Sequence, residues 1–195
     1  MERNADMRRF ITFTLVGLIL TGATTTAANT WRVEQGDVRV ICPMTIGGSF
    51  DARTQALEGL ISARSDALPV LDGSLVVDLR TLDTGIGLRN QHLRENYLEV
   101  GNGPGFDRAT LSQLRVVGFQ PDAPEGKRSF TGLLTLHGVT QAVSGTVDFQ
   151  PTRTGLRVRA SFPLVLADYG IRKPRYLGIG VKDAVQIEVV FAASR

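Results

Sequence analysis

An all-β chain of antiparallel strands, a sandwich or a closed barrel, is the architecture this sequence predicts, and three observations predict it. Apolar and polar residues alternate with a period of two through most of the chain beyond residue 29. Turn signals such as Gln35-Gly36, Gly47-Gly48, Leu71-Asp72-Gly73 and Thr154-Gly155 separate the alternating runs. No helical pattern long enough for a β-α-β crossover lies between consecutive runs, which argues against a parallel sheet. Several of the 21 glycines fall inside strands (Gly59, Gly132, Gly145), and these favour the sharp corners of a barrel over a sandwich.

The N-terminal residues are read separately. Arg3, Arg8 and Arg9 make a basic start, Phe10–Leu20 is an apolar run, and Thr21–Asn29 is a tract of small residues. The apolar run is shorter than the roughly 20 residues a membrane span takes. The layout is that of a secretory signal peptide over residues 1–28, with cleavage after Ala28, and an uncleaved anchor as the alternative. Residues 29–195 then form one domain, expected in the periplasm or secreted.

About ten strands follow. The first are Trp31–Glu34, Asp37–Cys42, Thr45–Phe50, Ala56–Arg64, Ser74–Leu79 and Gln113–Phe119. In the clearest ones one face is apolar throughout. Phe130, Gly132, Leu134 and Leu136 share a face, as do Val143, Gly145, Val147 and Phe149. Leu156, Val158, Ala160 and Phe162 oppose Arg157, Arg159 and Ser161, and Val185, Ile187, Val189 and Phe191 oppose Gln186 and Glu188. The long connection between Leu79 and Gln113 contains a helical pattern, Leu88–Tyr97, with Arg89, Leu93 and Tyr97 at successive i, i+4 positions. Gly101-Asn102-Gly103-Pro104-Gly105 stops it. On a barrel, such a short helical insertion near residues 86–98 can cap one open end.

Catalytic chemistry finds little purchase. The two histidines, His92 and His137, lack the further ligands a zinc site needs. No G-x-S-x-G elbow is present. The single cysteine, Cys42, lies in an apolar run and reads as a small buried core residue. A net charge of +3 with arginines scattered along the chain is a soluble surface, not a nucleic-acid footprint. His137, just before Gly138, is expected to bond neighbouring backbone, while His92 on the insertion is placed to touch a ligand or its polar head.

Three stretches in order carry a family likeness: TLDTGIGLRNQHLREN at Thr81–Asn96, FTGLLTLHGVT at Phe130–Thr140, and LADYGIRKPRYLGIGVKDAVQIEVVF at Leu166–Phe191. On these the chain resembles the YceI-like family of secreted, lipocalin-like proteins over nearly all of Trp31–Phe191. The resemblance implies an extended antiparallel barrel, usually dimeric, with a helical element closing one end. It also implies an apolar tunnel that in some members holds a long-chain isoprenoid or quinone. Two departures stand out. Ile41-Cys42-Pro43-Met44 replaces a stretch where many relatives carry a histidine, and Gly101–Asp107 is glycine-rich where relatives are often shorter.

The functional expectation is binding, storage or transport of an apolar chain molecule. Leu134, Leu136, Val147, Phe149, Val158, Phe162 and Val189 are the expected wall, and Arg89, His92, Leu93, Tyr97, Tyr169 and Tyr176 the expected mouth. Asp83, Arg89, Arg94, Arg172, Lys173 and Arg175 are candidates for a charged rim, on which arginine forks suit a pyrophosphate head. No catalytic residue, metal or cofactor is expected beyond a bound polyisoprenoid or ubiquinone-like lipid. Expected partners are that lipid, a second copy in a homodimer, and transient contact with a membrane or a membrane redox protein. The alternatives are an enzyme acting on a lipid-like substrate and a periplasmic interaction subunit of a membrane redox system.

Overall fold

The computed structural model describes residues 29–63, 70–173, 175–176 and 179–195. The signal-peptide reading of residues 1–28 lies outside them. Among the described residues twelve strands are present: β1 Asn29–Val33, β2 Gly36–Pro43, β3 Ser49–Thr54, β4 Leu57–Ala63, β5 Val70–Asp78, β6 Arg108–Val116, β7 Gly126–Leu136, β8 Val139–Thr152, β9 Gly155–Val165, β10 Arg175–Tyr176, β11 Ile179–Gly180 and β12 Ala184–Ser194. Eight of them close an antiparallel ring, β1-β4-β5-β6-β7-β8-β9-β12, with the return pairing β12 to β1. β2 and β3 extend that ring beside β12, and β10 and β11 form a separate ribbon.

The two extra strands are continuations of their neighbours. Pairing runs Asn29↔Ala63 to Val33↔Gly59 and resumes in the same register from Val38↔Thr54 to Pro43↔Ser49. One long hairpin therefore bends at Glu34-Gln35 on one arm and at Gln55-Ala56 on the other, with a bond from Gly36 N to the Gln55 carbonyl at 3.4 Å. Its tip corrects the sequence reading. Thr45–Phe50 is not a strand: residues 44–48 turn, with Met44 N bonded to the Gly48 carbonyl at 3.1 Å, and β3 begins at Ser49. Gly47 and Gly48 both take positive φ (61° and 65°), which no extended strand accommodates.

Barrel curvature has a local cause. The β5/β6 register shifts between Leu71 and Ser74, and the β6/β7 register shifts between Ser112 and Arg115. Such irregularities bend and twist a sheet. At Gly145 the closeness of β9 leaves no room for a side chain: a Cβ there would collide with the Ser161 carbonyl oxygen and lie 2.6 Å from Phe162 Cβ.

Four connections gather at one end of the ring. They are the 44–48 turn, the 79–107 insertion, the tight His137-Gly138 turn and the described residues of the 166–173 and 179–183 stretches. The insertion comprises a 3-10 turn at Leu79–Thr81, helix α1 at Gly87–His92, a π turn at Leu93–Tyr97 and a 3-10 turn at Val100–Asn102. It is tied to the barrel edge by paired backbone bonds between Arg53 and Asp83, both 2.8 Å. The opposite end is filled by aromatic rings. Trp31 meets Phe119 edge-on at 5.8 Å, and Phe119 meets Phe149 at 5.1 Å. No helix among the described residues is long and apolar enough to cross a membrane.

Candidate functional site

The ring encloses two apolar chambers in line. The larger, about 180 Å³, lies beneath the insertion, walled by residues such as Val38, Val40, Cys42, Phe50, Leu134, Leu136, Leu164 and Ile187. The smaller, about 90 Å³, lies toward the aromatic end among Trp31, Phe119, Phe130, Val147, Phe149 and Val158. Leu75, Leu111, Phe162 and Val189 border both chambers and form a waist between them. The alternation of each strand produces this arrangement, because residues two apart share a face and only the apolar face points into the ring.

The seven residues named from strand phase as the wall are distributed over the two chambers. Leu134 and Leu136 line the larger, Val147, Phe149 and Val158 the smaller, and Phe162 and Val189 both. The mouth residues divide. Leu93 and Tyr97, on the π turn, reach the larger chamber along with Leu98. The turn closes through a bond from Leu98 N to the Leu93 carbonyl at 2.9 Å. Arg89 is half-buried on α1, its guanidinium carbon 4.4 Å from the centre of the Phe50 ring. His92 is exposed and borders neither chamber. Tyr169 is 2 % exposed but packs outside both linings, its hydroxyl unpartnered among the described residues. The side chain of Tyr176 lies outside the described residues.

His137 has a structural position. It occupies the β7/β8 turn at φ 52° with Gly138 at φ 74°, the two left-handed residues that a two-residue hairpin requires. Its Nδ1 is 3.0 Å from the Tyr169 carbonyl, so Nδ1 carries a proton and donates it. Backbone is thus its partner, as expected, but from the 166–169 turn and not from a sequence neighbour. Nε2 faces Glu99 at 3.4 Å, and the Phe106 ring stands edge-on at 4.8 Å. The imidazole so pins three connections of the capped end to one another. No grouping of three or more His, Cys, Asp or Glu able to hold a metal occurs among the described residues.

Sequence phase passed over part of the larger chamber. Val38, Val40 and Cys42 alternate within the expected Asp37–Cys42 strand, so their shared face was readable. Leu75 and Leu111, by contrast, sit beside the bulges, where the period of two is interrupted. Cys42 brings the lining its thiol, whose pKa is pushed up to about 11, chiefly by burial and then by the Asp51 charge, with the Arg89 charge opposing. Of the rim candidates, Arg94 donates to the Leu82 carbonyl at 3.0 Å and Lys173 lies 3.6 Å from Asp183, while the side chain of Arg175 lies outside the described residues.

The sequence model for the YceI-like domain matches residues 25–193. The chain belongs to that family. Among curated relatives of this YceI-like domain is a UPF0312 protein of Vibrio vulnificus (strain YJ016), 30% identical over 106 residues, which cover 53% of this chain and 52% of that one. A UPF0312 protein of Vibrio campbellii is 34% identical over 77 residues, 39% of this chain and 37% of its own. The chain thus spans about half or less of the curated relatives it matches. Among solved structures, a polyisoprenoid binding domain from Saccharophagus degradans superposes with a TM-score of 0.59 at 17% identity, covering 84% of this chain and 97% of that one. Burkholderia cenocepacia BcnA gives 0.65 at 13% identity, covering 82% and 96%. These likenesses establish the shared fold.

Proposed function

We propose that this YceI-like domain binds a long apolar chain molecule inside its barrel, as a carrier or store and not as an enzyme. The carrying observation is the pair of aligned chambers whose walls are aliphatic and aromatic, interrupted only by the Cys42 thiol and the Tyr97 phenol. Each methylene removed from water contributes about 0.8 kcal/mol. A long tail realises far less in total, because efficiency falls toward about 0.3 kcal/mol per atom for larger ligands. Two chambers in series favour a thin extended tail, such as a polyisoprenoid or a ubiquinone-like lipid, over a compact ligand. The polyisoprenoid binding described for the Saccharophagus degradans neighbour supports the same class.

The residues proposed to meet the tail are the seven wall positions together with Leu93 and Tyr97. Export by the N-terminal segment would place the domain in the periplasm or outside the cell. There it would collect its cargo by transient contact with a membrane or a membrane redox protein, and pair with a second copy of itself. Organic extraction of purified protein followed by mass spectrometry tests the central reading. A co-purifying lipid with a long unbranched or isoprenoid tail is expected. Repeatedly empty extracts, with no uptake of added polyprenol, would refute it.

A further inference from the structure

We propose that Arg89 anchors the head group of the cargo and selects apolar chains that end in an oxyanion, a carboxylate or a phosphate. The proposal rests on the binding reading above and adds to it the chemistry of the head.

Arg89 stands where the tail's polar end would emerge. Its guanidinium lies over Phe50, and the Phe50 ring is part of the larger chamber's wall. Stacking on an aromatic face orients the fork and leaves its in-plane N–H donors free for an oxyanion. Carboxylates of the β2/β3 hairpin and of the insertion are engaged with other partners. Asp51 accepts from Arg39 at 2.8 Å and from Arg53 at 2.9 Å. Asp83 accepts from Gly85 N at 2.8 Å and from Asn90 at 2.6 Å, Glu95 accepts from Gln91 at 3.1 Å, and Glu99 faces His137 and Arg172. Among the described residues the Arg89 guanidinium makes no ion pair or hydrogen bond, and Cys42 offers it a neutral thiol. A half-buried cation without a counter-ion, held at the lip of an oily chamber, is complementary to an amphiphile of opposite charge. A neutral alcohol takes one hydrogen bond from such a fork, whereas a carboxylate or phosphate takes two and adds charge.

Paired ligands that differ only in the head test this on delipidated protein: geranylgeranyl monophosphate against geranylgeraniol, and palmitate against 1-hexadecanol. Trp31, the one tryptophan of the chain and a wall residue of the smaller chamber, reports occupancy by its fluorescence. The wild-type protein is expected to hold the anions roughly tenfold more tightly than the alcohols. Arg89→Gln should bring that ratio to about unity, with the loss falling mainly on the two anions and only a small loss on the alcohols. A gap for only one anion supports the proposal and names the head. Equal affinities in the wild-type protein, or a gap that survives Arg89→Gln, overturn it and leave the carrier reading standing. Failure to bind any of the four ligands overturns both. Should Arg89→Gln not fold, the wild-type ratio itself must fall as salt rises from about 50 to about 500 mM, and a salt-independent ratio overturns the proposal.

Discussion

Cys42 shows how strongly one side chain registers the nature of its surroundings. A thiol on the chamber wall is deprived of water, and the cost of a buried thiolate moves its pKa to about 11. At pH 8 its thiolate fraction is therefore roughly two orders of magnitude below that of a free cysteine. Iodoacetamide should label the folded protein slowly at that pH, faster as the pH climbs toward 11, and at the free-thiol rate in urea. Intact-mass measurement follows each case, and equal rates in folded and unfolded protein would contradict the placement. The inward facing of Leu134, Val147, Phe149, Val158, Phe162 and Val189 was legible because each belongs to an uninterrupted alternation. Tyr169 was not legible in the same way. It lies in a 3-10 turn, where no period of two says which way a ring points, and it packs beside the His137 turn instead of at the mouth.

At the scale of elements, the β2/β3 hairpin carries a charge lattice on its outer face. Hydrogen bonds from Arg39 and then Arg53 hold the Asp51 carboxyl below the usual carboxylate range, and Arg39 also reaches Glu188 on β12 at 3.2 Å. A depressed folded-state pKa stabilises the native protein above the unfolded value and loses that contribution as the pH falls through the folded one. Asp51→Asn should thus be slightly less stable than wild type at pH 7, the difference vanishing in acid. Urea midpoints at both pH values check this, and a gap that widens in acid would contradict it. The insertion was readable as a helix from Arg89, Leu93 and Tyr97, but its second half is a π turn. Periodicity cannot announce one added residue in a turn, since the apolar side chains still land on one side. The shift of β3 had a different origin: its first expected residues contained two glycines whose turn conformation outweighed the apolar Ile46.

Across the whole molecule, Phe162 links the two chambers: its ring borders both, beside Leu75, Leu111 and Val189, and meets Phe130 edge-on at 5.8 Å. Phe162→Ala should cost about 3–5 kcal/mol of unfolding free energy by lost burial and the void it leaves. The variant's two hollows become one, so added long-chain lipid should restore part of that loss. Urea unfolding with and without lipid measures both effects, and a near-neutral substitution would show that the waist is not packed.

Ring closure depends on the last strand. Neighbours from β4 to β9 pair in chain order, yet the seam joins β12 to β9 on one side and to β1 and β2 on the other. A nascent chain lacking residues beyond Ala184 is therefore an open sheet with two unsatisfied edges and its oily face toward water. A chain truncated before Ala184 is therefore expected to aggregate instead of binding more weakly, which size-exclusion chromatography of the truncated protein checks.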